Sequence, residues 1–81
     1  VLNVLEQAGA GPQHIARLTW YVTSKQEYLA RGKEIGAVYR ELMTVDGEVR
    51  YPAMSAVEVS ALMEDCALVE IECTAVVPLR L

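Results

Sequence analysis

The segment Ile15-Ala-Arg-Leu-Thr-Trp-Tyr-Val-Thr23 runs straight into Ser24, and that junction limits the possible folds more than any other feature of the chain. β-Branched and aromatic residues dominate the segment, which reads as a strand. Alternation puts Leu18, Trp20 and Val22 on one face and Arg17, Thr19 and Tyr21 on the other. Ser24 offers a hydroxyl N-cap, and Glu27, three residues on, completes a capping box. The helix it opens is predicted to run to about Met43. Tyr28, Ile35, Val38, Tyr39 and Leu42 form its apolar stripe, and Glu27 with Arg31 is a favourable pair four residues apart. Gly32 and Gly36 weaken such a helix, and their common side points to close packing on a sheet.

Upstream, Val1, Val4, Leu5 and Ala8 recur at helical spacing, and Gly9 with Gly11-Pro12 supplies the stop. No capping residue precedes Val1, so this helix reads as cut off at its start. Downstream, Thr44 to Tyr51 reads as a polar loop around an Asp46-Gly47 turn. Ala53 to Ala61 and Leu68 to Val77 read as two final strands, a hairpin joined through Leu62 to Ala67. Helix, strand, helix, strand, strand describes an α+β layer with helices on one sheet face, in one domain over residues 1–81. The sheet face turned away from the helices is expected to be apolar and to need cover.

Composition supports that expectation. Apolar residues make up 53% of the 81 residues before any glycine is counted, against about 45–50% in ordinary domains with glycine included. So small a chain buries only a modest share of its surface alone, so the excess points to a second subunit. The net charge is −4, and the seven Lys and Arg are scattered. A phosphate-backbone binder needs a basic stripe, so nucleic acid is not an expected partner. There is no long apolar run and no charged-then-apolar leader, which predicts neither a membrane span nor a signal peptide. Cys66 and Cys73 lack CxxC spacing and read as reduced thiols of a cytoplasmic protein. The single histidine, His14, lies in a Gly-Pro turn and supports neither a metal site nor a Ser-His-Asp arrangement.

The carboxylates of the last strands are the chemical feature. Glu70 and Glu72 point one way, while Val69, Ile71, Cys73 and Ala75 point the other. Met54, Ala56 and Glu58 share a face of the preceding strand. A carboxylate on a covered sheet needs a partner or goes neutral. The glutamates therefore line a solvent-facing strip, or pair with Arg17, Arg40 or Arg50, or stand at a subunit cleft to hold a water or accept a proton. Met54, Trp20, Tyr21 and Tyr51 read as packing or cleft-wall residues.

Four stretches, AGAGPQHIARLTWYVTS, YRELM, YPAMSAVEVSAL and ALVEIECTAVV, make the chain similar to the Rid family, also called YjgF/YER057c/UK114 and, in older usage, endoribonuclease L-PSP. The resemblance covers nearly the whole chain. It implies a chorismate-mutase-like α+β fold, assembled as a homotrimer with small-molecule clefts between subunits. It also implies hydrolysis of enamines and imines, such as 2-aminoacrylate, to 2-keto acids and ammonia, without metal or organic cofactor. Glu70 matches the glutamate that positions the hydrolytic water. Met54 stands where that branch carries an arginine to clamp the substrate carboxylate, and Ala56 where it often carries cysteine. A thioether cannot replace that charge-assisted contact. The strand hairpin with which the family begins has no counterpart here.

The reading that follows is a Rid-like protein with an interface cleft, acting as an imine or enamine deaminase on something other than the usual 2-imino acid. Glu70 would hold the water, Met54, Tyr51 and Ala56 would wall the pocket, and Arg50 would stand in for the missing cation. The alternative is a ligand-binding or structural member without catalysis. A nuclease or translation inhibitor fits the acidic chain least.

Overall fold

The computed structural model describes residues 1–77. Helix α1 (Leu2–Gln7) is followed by a 3₁₀ turn (Pro12–His14), strand β1 (Ile15–Val22), helices α2 (Lys25–Ala30) and α3 (Gly32–Leu42), and strands β2 (Thr44–Val45), β3 (Glu48–Val49), β4 (Ala53–Glu58) and β5 (Val69–Ala75). The main sheet has the order β4-β1-β5, with β1 parallel to β4 and antiparallel to β5. A parallel pair needs a crossover, and α2 and α3 with the small β2–β3 hairpin provide it.

This topology corrects the hairpin expected from the last two strands. β4 and β5 do not pair, because β1 lies between them. β1 takes the centre because both of its backbone edges are paired, one with β4 and the other with β5. Its helix-side residues Leu18 and Val22 are buried and Trp20 is half-buried. Both neighbours are also shorter than expected, ending at Glu58 and Ala75.

The register of β5 shifts between Ile15 and Arg17. The extra residue lets Ile15 and Leu18, three apart, both reach the core, which strict alternation would forbid. Leu5, Ala10, Ile15, Leu18 and Met43 form that core, with Leu2, Trp20, Tyr39, Ile71, Cys73 and Ala75 packed around it. Hydrogen bonds from Val59 to Val22 and from Val76 to His14, each 2.8 Å, extend the pairing beyond the strand ends.

The helix predicted from Ser24 forms as two pieces. Ser24 Oγ caps it by accepting from the Glu27 amide at 3.1 Å. The ladder then breaks at Arg31 (φ −103°, ψ 18°), just before Gly32, a poor helix former. The expected pairing of Glu27 with Arg31 is not made: the one ion pair among the described residues is Arg50–Glu48. Nor do Gly32 and Gly36 mark close packing, since a Cβ built on either would meet nothing within 4 Å. α3 stands off the sheet, and a cleft of about 700 Å³ opens between it, α1 and the strands. Ile35 and Tyr39 of its stripe are half-buried, while Val38 and Leu42 stay exposed.

The segment after α3 is more ordered than a loop. β2 and β3 pair across Asp46-Gly47, both with positive φ (52° and 79°), the geometry of a tight two-residue hairpin turn.

Candidate functional site

Register decides which side chains meet. Leu18 pairs with Met54 and Trp20 with Ala56, so Met54 and Ala56 lie on the helix side of β4. Tyr21 pairs with Glu70 and Thr19 with Glu72, so both glutamates project from the opposite face of β5. On that outer face stand Arg17, Thr19 and Tyr21 from β1, Ala53, Ser55 and Val57 from β4, and Glu70, Glu72 and Thr74 from β5. The expectation of an apolar outer face is therefore corrected. Its residues are mostly polar or charged, because the odd-numbered positions of β1 and the even-numbered positions of β5 carry the hydrophilic half of each alternating pattern.

The two glutamates differ in their surroundings. Tyr21 Oη donates to Glu72 Oε1 at 2.9 Å. Glu70 accepts no hydrogen bond and joins no ion pair among the described residues. The phenol of Tyr21 is pushed above its ordinary value of 10.0, first because its hydroxyl is bonded to Glu72, then by desolvation and by the negative charge of Glu72 and Glu70; Arg17 opposes this. A carboxylate acceptor favours the neutral phenol, so Tyr21 stays protonated as a donor. Sequence patterning assigned Tyr21 to packing. Its shared face with Arg17 and Thr19 was the one available signal, and only the register joins it to Glu72.

Glu58 serves another purpose. Its Oε1 accepts from the Lys25 amide at 2.8 Å, tying the end of β4 to the first turn of α2, where a carboxylate complements the free amides. Arg50 is engaged by Glu48 at 3.0 Å, a pair exposed on both sides. Tyr51 stacks on Tyr39 of α3 (centroids 5.3 Å apart, planes 19°), and Tyr39 in turn lies 6.0 Å from Trp20, which meets Tyr28 edge-on at 6.3 Å. Tyr51 thus belongs to an aromatic row linking the helices to β1. His14 is structural: its Nδ1 accepts from the Gly11 amide at 2.9 Å and closes the 3₁₀ turn.

Of the residues singled out from sequence, Met54 and Ala56 share the helix side of β4, and Tyr51 is joined to the helices through Tyr39. Glu70 is set apart from them, on the far edge strand and the other face. Within one copy these residues do not line a common pocket.

Comparison with known proteins agrees with this arrangement of elements. The family model described as "Endoribonuclease L-PSP" matches residues 1–77. Among solved structures, a member of the YjgF/YER057c/UK114 family from Mycobacterium tuberculosis is 38% identical, with 94% of this chain and 58% of that one covered and a TM-score of 0.69. A Rid-family protein of unknown function from Yersinia pestis is 35% identical over 89% of this chain and 51% of its own, also with a TM-score of 0.69. The TdcF protein of E. coli, solved with bound serine, is 25% identical over 94% of this chain and 55% of its own, with a TM-score of 0.73. No curated protein matches the chain. The chain spans between about half and three-fifths of the length of these structures. The family model spans residues 1–77, which include the PAMSAVEV and VEIE segments, and two relatives exceed 30% identity over most of the chain; on that ground the chain belongs to the Rid (YjgF/YER057c/UK114) family.

Proposed function

We propose that this chain forms part of a small-molecule site that hydrolyses an imine or enamine lacking the carboxylate of a 2-imino acid. Glu70 holds the water. Met54, Ala56 and Tyr51 of a neighbouring copy wall the substrate. The observation that carries the reading is the separation of Met54 from Glu70 by the sheet itself, with Glu70 exposed and unpaired. A site using both needs two copies, as in a homotrimer with clefts between subunits.

The chemistry follows from the groups present. The water oxygen attacks the C=N carbon while Glu70 takes a proton from it. Glu70 returns that proton to the nitrogen. The proton of the new hydroxyl follows by the same route as the C–N bond breaks and the C=O forms, and a carbonyl compound and ammonia leave. An enamine enters the same sequence once protonation of its β-carbon has turned it into the imine. No step requires a metal or an organic cofactor. Met54 sets the specificity. In place of a guanidinium it presents an apolar, polarizable wall, so a substrate carboxylate there would lose its partner. Such a loss costs about 1.5–3 kcal/mol for a hydrogen bond to a charged group. Arg50, four residues upstream of Met54, remains the candidate cation for this site; its pairing with Glu48 is exposed on both sides and holds it only weakly. Binding to nucleic acid is disfavoured by Glu70 and Glu72 on the open face and by the net charge of −4.

The test is ammonia release from freshly generated 2-iminopropanoate by the native chain and by Met54→Arg, with the oligomeric state measured in the same preparation. Gain of turnover in Met54→Arg over an inactive native protein supports the reading. Inactivity of both in an intact oligomer overturns hydrolysis and leaves ligand binding without turnover.

A further inference from the structure

Two carboxylates two residues apart on one strand face are chemically alike, yet a site that takes one proton from one water needs a single acceptor. The outer face distinguishes them. Tyr21 lies directly across from Glu70, but its hydroxyl reaches diagonally to Glu72. Diagonal neighbours across an antiparallel pair are within range of an aromatic side chain. Thr19, the residue directly across from Glu72, makes no hydrogen bond to it. Tyr21 is thus the one described group that engages either carboxylate.

We propose that Tyr21 is a positioning residue of the Glu70 site: by donating its hydroxyl to Glu72 it fixes and occupies that carboxylate, so that Glu70 alone is left to take a proton from water. This inference rests on the hydrolytic reading above for its consequence, but the contact itself does not. Glu70 and Glu72 of β5 and Arg17 of β1 are the charged groups facing Tyr21; from β4 the face presents only Ser55, Val57 and Ala53. The phenol is therefore set between two negative charges and one positive, and its proton stays on the tyrosine. Loss of the hydroxyl frees Glu72 to compete for the same water or for the substrate nitrogen, which lowers turnover without removing any wall of the pocket.

The experiment uses Tyr21→Phe, Glu72→Gln, the double variant and Glu70→Gln in the full chain, assayed with the uncharged imine of pyruvamide. Tyr21→Phe is expected to lower kcat about two- to tenfold, the range of one net hydrogen bond, with KM unchanged. In the Glu72→Gln background, where no second carboxylate remains, the same substitution is expected to have no further effect. Independent, multiplicative losses in the double variant overturn the proposal. A second readout needs no turnover. The tyrosinate absorbance difference between native protein and Tyr21→Phe is expected to titrate above 10.0 and to return toward it in Glu72→Gln. An ordinary titration of Tyr21 in the native protein overturns the contact and the proposal with it. Full activity in Glu70→Gln, with Tyr21 still titrating high, overturns Glu70 as the acceptor of the water proton and with it the positioning role of Tyr21, whereas absence of turnover by the native protein overturns the hydrolytic reading itself.

Discussion

Met54 and Glu70 stand on opposite faces and opposite edges of one three-stranded sheet. A side chain on the helix side of β4 and one on the outer face of β5 cannot meet around β1 without unpairing it. Any cleft that contains both is built by contact between copies.

That geometry predicts complementation. Met54→Asp and Glu70→Gln are each expected to abolish imine hydrolysis. Unfolded together and refolded as a mixture, they are expected to regain part of it, because some interfaces then combine Met54 from one parent with Glu70 from the other. Ammonia release from the co-refolded mixture, set against the two variants refolded separately, makes the check. A mixture no more active than its components would show that no site combines Met54 of one copy with Glu70 of another.

The open space beside α3 predicts a stabilising change. Gly36 lies in a helix interior with nothing within 4 Å of an added Cβ. Gly36→Ala should therefore gain about 0.5–1 kcal/mol by reducing backbone entropy in the unfolded chain. In a domain this size that is on the order of several degrees in Tm, read by thermal unfolding at fixed protein concentration. A lower Tm would reveal a close approach to the helix at Gly36.

These two relationships show where the sequence was and was not legible. Ile15 to Thr23 and the Ser24–Glu27 cap could be located because period-two alternation and capping chemistry are local. The break at Arg31 was missed because the apolar stripe continues through it and only Gly32 hints at it. Strand order was not local information at all. Two apolar segments joined by a short connection resemble a hairpin until β1, far away in sequence, is seen to insert between them. The face of each glutamate could be stated relative to its own strand, whereas its partner could not, because partners are set by register. Tyr21 and Glu72, 51 residues apart, are the clearest case.

The β2–β3 hairpin makes the opposite prediction to Gly36. Gly47 has φ +79°, a region where a Cβ crowds the following carbonyl, although open space surrounds it. Gly47→Ala should cost about 1–2 kcal/mol through the backbone alone. The damage should be confined to this turn, since β2 and β3 pair only with each other. Amide exchange of Arg50, bonded to the Met43 carbonyl at 3.2 Å, should quicken while exchange in β1 is unchanged. Equal loosening of β1 would show that the hairpin braces the main sheet.

Stability at high pH tests the two perturbed phenols together. Burial, with the negative charge that Tyr51 and Tyr28 add on ionising, raises Tyr39; the Glu72 bond first of all raises Tyr21. Both shifts have the same sign. Above about pH 10 the unfolded chain releases phenolic protons that the folded chain still holds, so the folded state binds more protons and stability falls as pH rises. Their contribution is complete below pH 10 and is lost as the pH climbs through the folded values. Tyr39 carries an additional cost, because its hydroxyl is covered and has no hydrogen-bond partner among the described residues. Tyr39→Phe should therefore leave stability at neutral pH unchanged or slightly raised, since it removes a desolvated polar atom without breaking a bond. Tyr21→Phe with Tyr39→Phe should flatten the alkaline decline, measured as the urea midpoint at a series of pH values from neutral to above 10. If the double variant declines as steeply as the native protein, other groups drive the alkaline loss and neither phenol is held by its surroundings.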